Sequence, residues 1–308
     1  MSKFIISIDL GGTNTRVAIV DSRLKIKSKL SFPTKSYISH RTFLIDEIVK
    51  VIKLSLNNNR LNKLQVLGLG IGVPGPVDFK NGLIHYLPNI PHWQNTPLRK
   101  ILRNRLGFDV FVDNDVNLMA LAEARLGAAK GANNAVCITL GTGVGGGLIL
   151  DGEIYRGTDF CAGEIGHMPI NVDGPKCNCG GKACLERYIG NKYVLMDAQN
   201  KFKNKNITLE ELSKLARDGN IKALEIFATF SNRLGVALTG VVNLVNPEVI
   251  VIGGGLSYSG GFLFRDVQKV IRERAMPTHA KRVQVKRALL GSNAGLIGAA
   301  LLVKENKK

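Results

Sequence analysis

Apolar residues recur along this chain with two periods, one suited to strands and one to helices. Phe4–Ile8 is a short β-branched run ending in Asp9; the turn LGGTN follows, then the run RVAIV from Arg16 and, past Asp21 and Ser22, another strand to Phe32. Ala135–Thr139 begins the same order again: AVCIT, the turn LGTG, GGGLIL to Leu150, a turn at Asp151 and Gly152, then EIYRG. Two strand-turn-strand units about 130 residues apart predict an internal repeat with the period of a domain.

Between them, Ile45, Ile48, Val49, Ile52 and Leu56 make one apolar helical face. Val66–Val73 predicts a strand broken by Pro74 and Pro76. Phe108–Val112 predicts another, ending in Asp113, Asn114 and Asp115 before a helical VNLMALAEARLG. Later, a capping box from Thr208 to Glu211 opens a helix that Gly219 ends. A longer helix through Ala223, Leu224, Phe227, Leu234 and Leu238 stops at Asn246 and Pro247 and feeds the strand EVIVI. AGLIGAALLV from Ala294 predicts a last apolar helix with a frayed Lys-rich tail. Strands alternating with crossover helices predict an α/β fold.

Composition narrows the classes. The 308 residues are 45% hydrophobic and 21% charged, enough for two domains with real cores, which excludes a disordered chain. The longest uncharged stretch, Gly131–Leu150, is too rich in glycine for a membrane span, and the N-terminus has no signal-peptide pattern, so a cytoplasmic location is expected. The net charge of +18 comes from lysines and arginines scattered without interleaved aromatics or a nucleic-acid module. A solvated basic surface is expected, with neither nucleic acid nor membrane as partner. Five cysteines, an odd number, argue against a disulfide framework. Cys137, inside an apolar run, reads as a small buried hydrophobe.

Two GxGxxG matches do not make a dinucleotide site. Gly70, Gly72 and Gly75 are followed by prolines rather than a helix, and Gly141, Gly143 and Gly146 by a strand. What remains is two glycine-rich tips, Gly11, Gly12, Thr13 and Gly141, Thr142, Gly143. Glycine there would allow positive φ and close approach, so that backbone N–H groups converge on an anion and the two tips clamp a triphosphate. Asp9, just before the first tip, is placed to hold Mg²⁺ through water.

DLGGTNTR, VDNDVNL, LGTGVGGG, EIGH, CNCGGKACLE and VNPEVIVIGGG stand in the order expected of the ROK family of repressors, open reading frames and sugar kinases, which the chain resembles over almost its whole length. The likeness to its sugar kinases of glucokinase type is close. It implies a duplicated actin-like ATPase (ribonuclease H-like) α/β fold of two domains with a cleft between them: 1–114 joined by the helix 293–308, and 115–292. It further implies transfer of phosphate from ATP, with Mg²⁺, to a hexose hydroxyl, and a homo-oligomer, dimer or tetramer.

Phosphoryl transfer to an alcohol needs a positioned base, and Asp115, at a strand-to-helix junction, matches the family's catalytic Asp; helix capping is the plain alternative for one Asp of this cluster. The resemblance assigns Asn114, Glu164, His167 and Glu186 to sugar hydroxyls, and Gly253, Gly254 and Gly255 to a flat backbone beside the adenosine. His167, Cys177, Cys179 and Cys184 form a His-x9-Cys-x-Cys-x4-Cys array, the donor set of a closed structural zinc site; metal-free, reduced cysteines are the alternative. The sequence departs from the family's usual Ala at Val116 and usual Gly at Ala183. Glucose phosphorylated at O6 is the first expectation, and N-acetylmannosamine or N-acetylglucosamine kinase activity the second. A sugar-responsive repressor is expected to need a helix-turn-helix ahead of the strand at Phe4. A structural actin-fold ATPase would have no use for a His and Cys array beside a carboxylate.

Overall fold

Each strand-turn-strand pattern folds as an antiparallel meander. The structure, a computed structural model, describes residues 3–307. β1 (Phe4–Leu10), β2 (Asn14–Asp21) and β3 (Ile26–Pro33) pair in sequence, Phe4 facing Asp21 and Leu10 facing Thr15 across the first ladder. α1 (Arg41–Asn58) then crosses over, with Ile45, Ile48, Val49, Ile52 and Leu56 all buried. That crossover lets β4 (Val66–Val73) lie parallel to β1, which no tight turn could do. A hairpin, β5 (Val77–Asp78) and β6 (Leu83–Ile84), and helix α2 (Leu98–Leu106) lead to β7 (Val110–Asn114) and α3 (Asp115–Leu126). The sheet order is β3-β2-β1-β4-β7.

β7 lies two residues later than the expected 108–112. Gly107 ends α2 in the left-handed conformation, and the ladder with β4 runs from Leu69 opposite Val110 to Val73 opposite Asn114. Asp113 and Asn114 are therefore strand residues, and Asp115 opens the helix.

The second meander is β8 (Ala135–Leu140), β9 (Val144–Leu150) and a short β10 (Glu153–Tyr155). A long excursion follows, with α4 (Glu186–Ile189), α5 (Asn191–Phe202) and α6 (Leu209–Arg217), before the crossover helix α7 (Ile221–Val245). Thr208 caps α6 by accepting from the Glu211 N–H at 3.1 Å, and Asn246 stops α7 in the left-handed conformation. β11 (Val249–Gly253) runs parallel to β8; α8 (Gly261–Arg274), α9 (Pro277–Arg282) and β12 (Gln284–Arg287) follow, giving the order β10-β9-β8-β11-β12. The last helix, α10 (Ala294–Asn306), continues past the apolar run, and Lys307 pairs with Asp109, so the expected fraying does not extend to these residues.

The chain divides into two compact units. One holds the described residues of Met1–Ala122 and Ser292–Lys308 with Arg156–Ala162; the other holds Glu123–Tyr155 and Gly163–Gly291. Asp115–Ala122 thus packs with the first unit, and so does Arg156–Ala162, whose Arg156 reaches Asp113. In the first unit the sheet is covered on both faces. Ile6, Ile8, Leu69 and Ile71 meet α1 in one cluster, while Ile5, Ala18 and Val20 meet Leu296, Ala300 and Val303 of α10 in another. In the second, Val136, Ile138, Ile250 and Ile252 pack with Phe227, Leu234 and Leu238 of α7. Cys137 is fully buried, and that burial pushes its thiol well above the ordinary range. Among the described residues no helix is long and apolar enough to cross a membrane.

Candidate functional site

Within each unit the glycine-rich tip follows the carboxyl end of a strand with a parallel neighbour, and in the first unit Asp113, Asn114 and Asp115 stand at the carboxyl end of β7, where open α/β sheets present ligand sites. In the first unit Asp9 pairs with Gly72 and Gly72 with Asp113 across adjacent strands, so the two carboxylates lie in register two strand spacings apart, about 10 Å. Burial raises the Asp9 carboxyl above its ordinary range, and Arg16, charged and hydrogen-bonded to it at 2.7 Å, pulls it down. Arg16 also donates to the Ser292 carbonyl at 2.6 Å. Sequence reasoning passed over Arg16, although the hairpin contains the signal. With Leu10 facing Thr15 across the first tip, Asp9 must face Arg16.

The first tip is closed by the Gly11 N–H donating to the Asn14 carbonyl at 3.1 Å, and is pinned by Thr34, whose hydroxyl donates to the Gly11 carbonyl at 2.7 Å. In the second, the Gly141 N–H donates to the Gly143 carbonyl at 3.0 Å. None of Gly11, Gly12, Gly141 and Gly143 has the positive φ expected of it. The turns close with right-handed or extended backbone, so what glycine contributes there is the missing side chain. At Gly143 the reason is visible: a Cβ would lie 2.5 Å from Glu186 Oε2.

At the β7–α3 junction three polar residues divide the work. Asn114, not an aspartate, caps the helix: its Oδ1 accepts from the N–H groups of Val116 at 2.8 Å and Asn117 at 3.2 Å, and its Nδ2 donates to the Gly75 carbonyl at 3.1 Å. Asp113, 2% exposed, is saturated. It accepts from Arg156 Nε at 3.0 Å and Nη2 at 2.7 Å, from Asn117 Nδ2 and from the Asn114 N–H, while the guanidinium lies 3.9 Å from the centre of the Phe79 ring. Such a carboxylate positions its neighbours and has no role left as a base. Asp115 is half-buried, with Oδ1 accepting from the Val116 N–H at 2.9 Å. Nothing in the sequence around Arg156 signals its partner, 43 residues away.

In the second unit the structure brings Glu164, His167 and Glu186 together. His167 Nε2 lies 3.8 Å from Glu164 Oε2. Partial desolvation raises the Glu164 carboxyl above its ordinary range; His167 draws it down and the Glu186 charge pushes it further up. Glu186 Oε2 accepts from the Val144 N–H at 2.9 Å, which ties this cluster to the base of the second tip. Gly253 ends β11, and Gly254, at φ +85°, would place a Cβ 2.2 Å from the Leu140 carbonyl oxygen, so only glycine fits beside this tip. Among the described residues, nothing beyond its own chain neighbours would lie within 4 Å of a Cβ at Gly255.

The metal-ligand candidates also converge. Antiparallel bridges between Pro169 and Cys184 and between Lys176 and Lys182 fold the loop back on itself, which brings Cys184 beside His167. The donor atoms of His167, Cys177, Cys179 and Cys184 all lie within 4.8 Å of one another. His167 Nδ1 is 3.7 Å from Cys177 Sγ, and Cys179 Sγ is 3.7 Å from Cys184 Sγ. A tetrahedral zinc with bonds of about 2.3 Å to sulfur has sulfur–sulfur edges of about 3.8 Å, so the donor set and its spacing fit the ion. Without metal, burial pushes the Cys184 thiol up to about 12, whereas the Gly181 backbone N–H holds Cys179 below the ordinary thiol range. Ala183, where the family usually has Gly, is buried in the left-handed conformation at φ +57°.

Comparisons with known proteins bear on the whole chain. The sequence model of the ROK family matches residues 5–306. A glucokinase of Thermotoga maritima is 32% identical over 98% of this chain and 97% of its own length. The crystal structure of a ROK family glucokinase from Streptomyces griseus, in complex with glucose and AMPPNP, superposes with a TM-score of 0.84 at 30% identity, over 98% of this chain and 99% of that one. A xylose repressor of Bacillus spizizenii is 31% identical over 84% of this chain and 68% of its own length. With the duplicated sheets, the paired tips and the His and Cys loop all in the expected order, the chain belongs to the ROK family and has its actin-like ATPase fold.

Proposed function

We propose that this protein is an ATP-dependent hexose kinase of glucokinase type, transferring the γ-phosphoryl group to O6 of glucose. The observation that carries this reading is the second-unit cluster: two carboxylates and an imidazole, with the imidazole's other nitrogen turned toward three cysteine sulfurs. A sugar offers a ring of hydroxyls, and acceptors held at fixed angles are what distinguish one ring from another. Glu164 and Glu186 supply such acceptors, His167 with Nδ1 turned to the sulfurs presents its Nε2–H as a donor, and Asn114 adds an amide whose orientation the Gly75 carbonyl fixes.

In the chemical step the acceptor oxygen bonds to the γ-phosphorus as the bond to the ADP oxygen breaks, and the hydroxyl proton passes to Asp115. The N–H groups of Gly11 and Gly141 close their tips, and those of Gly12 and Thr13 and of Thr142 and Gly143 cover the phosphates, while Gly253, Gly254 and Gly255 give the adenosine a flat wall. Asp9, whose carboxyl Arg16 draws back toward the charged form against the effect of burial, would hold the water shell of Mg²⁺, which supplies charge neutralisation to the phosphates. Zinc held by His167, Cys177, Cys179 and Cys184 would cross-link the sugar-binding loop and fix the His167 ring.

A coupled assay of ADP release over a panel of hexoses and N-acetylhexosamines tests this reading. Glucose is expected to give the highest kcat/KM. A higher value for N-acetylmannosamine or N-acetylglucosamine would replace the sugar and leave the kinase; no turnover with any sugar would overturn the kinase itself.

A further inference from the structure

Glu123 is fully buried, lies outside every role assigned above, and binds three backbone N–H groups from two separate segments. Its Oε2 accepts from Ala128 at 2.7 Å and from Leu289 at 3.1 Å, and its Oε1 accepts from Leu290 at 2.8 Å. Its own carbonyl accepts from the Gly127 and Ala129 N–H groups as well. The position is particular. The chain first passes from one compact unit to the other between Ala122 and Glu123, and returns for the last time between Gly291 and Ser292; the segment Arg156–Ala162 adds two crossings between these. One carboxylate therefore anchors the first and the last of the four connections, at their ends in the second unit.

From this anchor lead the two helices that serve the proposed chemistry. α3 carries Asp115 eight residues before Glu123, about 12 Å along a continuous helix. α10 begins at Ala294, three residues after the return, and its Gly295 lies against Asp9, where a Cβ would stand 3.1 Å from the carboxylate carbon. The same two helices touch at Gly298, where a Cβ would lie 1.9 Å from the Leu118 carbonyl oxygen, so their backbones are in direct contact. Backbones packed this closely leave no slack for one helix to shift without the other.

We propose that Glu123 is a positioning residue: it locks the two connections together so that α3, with Asp115, and α10, backing Asp9, hold one geometry through the phosphoryl transfer. Charge suits this task. A carboxylate has acceptor capacity for all three donors at once, and charge-assisted bonds to N–H groups are stronger than neutral ones. An amide of the same shape must turn an NH₂ toward at least one of them. The proposal rests on the kinase reading, because it assigns Asp115 and Asp9 their roles.

The test compares wild type with Glu123→Gln, measuring kcat per folded molecule well below the melting temperature, zinc content, and amide hydrogen exchange. A misplacement on the ångström scale costs up to about 10²-fold in rate, so kcat is expected to fall by about 10- to 100-fold with zinc content unchanged. A carboxylate that only stabilises the fold would lower Tm and leave kcat per folded molecule alone; that result overturns the proposal. Should the variant fail to fold, exchange in the wild-type protein decides. Ala128, Leu289 and Leu290 amides exchanging as slowly as those of the central strands support the anchor, and exchange as fast as exposed loops overturns it. Wild-type protein inactive on every sugar would sink the kinase reading, and the exchange data would still judge the anchor.

Discussion

The two glycine-rich tips are alike in backbone and unlike in what backs them. Each has three residues between paired strands, and each is closed by a hydrogen bond from its first N–H. Two residues before the first tip stands Asp9, ion-paired with Arg16; two before the second stands Thr139, uncharged, with Gly253 beside it in the sheet. The second tip is backed from another element, by Glu186 of α4 on the Val144 N–H. The junctions after the fifth strand of each sheet differ in the same way. β7 runs into Asp113, Asn114 and Asp115, whereas β12 is followed by Ala288–Asn293, which contains no carboxylate. Duplication therefore supplies two similar tips, and the side chains beside them differ; in the proposed function the first unit would supply cation site and base, the second the sugar contacts and metal loop.

The sharpest way to break this division is at the base. Asp115→Asn is expected to lower kcat by about 10² to 10⁴, with zinc content and ATP affinity nearly unchanged. Asp113→Asn should behave differently, because it leaves the half-buried Arg156 guanidinium without its charged partner. A loss of about 3 kcal/mol or more in denaturant unfolding is expected, with a much smaller change in kcat per folded molecule. Equal kinetic losses in the two variants would remove Asp115 from its role.

The metal loop tests the other half. Cys177→Ser should abolish stoichiometric zinc by elemental analysis and raise the KM for glucose about tenfold, with a smaller change for ATP. Because thiolates bind the ion, zinc affinity of the wild-type protein should fall as pH falls, and the Cys184 thiol, held up to about 12 without metal, makes proton release on binding obligatory. Unchanged sugar kinetics in zinc-free protein would separate the loop from the sugar.

Asp9 sharpens the comparison of the tips through pH. Its folded-state carboxyl is raised, so folding favours its neutral form, and the contribution to stability is lost as pH rises through the folded value. Arg16→Met removes the opposing influence. The variant should lose stability relative to wild type as pH rises from acid to neutral in urea unfolding, and its KM for MgATP should worsen toward acid pH sooner than in wild type. A uniform loss at all pH values would mean that Arg16 acts by packing alone. The smallest effect is expected at Ala183→Gly. A left-handed alanine costs about 1 kcal/mol, so glycine should stabilise the protein by up to about that amount in thermal unfolding.

The order of strands, crossover helices and tips could be read along the chain because each depends on a local period: an apolar face must recur every two residues in a half-buried strand and every three or four in a helix. The convergence of the candidate metal donors could be read for a related reason, since all four lie within a short stretch of chain and short spacing restricts where they can go. The partners that set the chemistry could not. Asp113 meets Arg156 across 43 residues and Glu123 meets Leu290 across 167, and no local pattern encodes such pairs. Nor could periodicity decide that Asn114 would cap α3, since the two-residue shift of β7 came from its ladder with β4. Periodicity places an apolar face within its own element; which polar groups meet beside that face depends on how separate elements pack, and buried charges must find partners only once that packing exists.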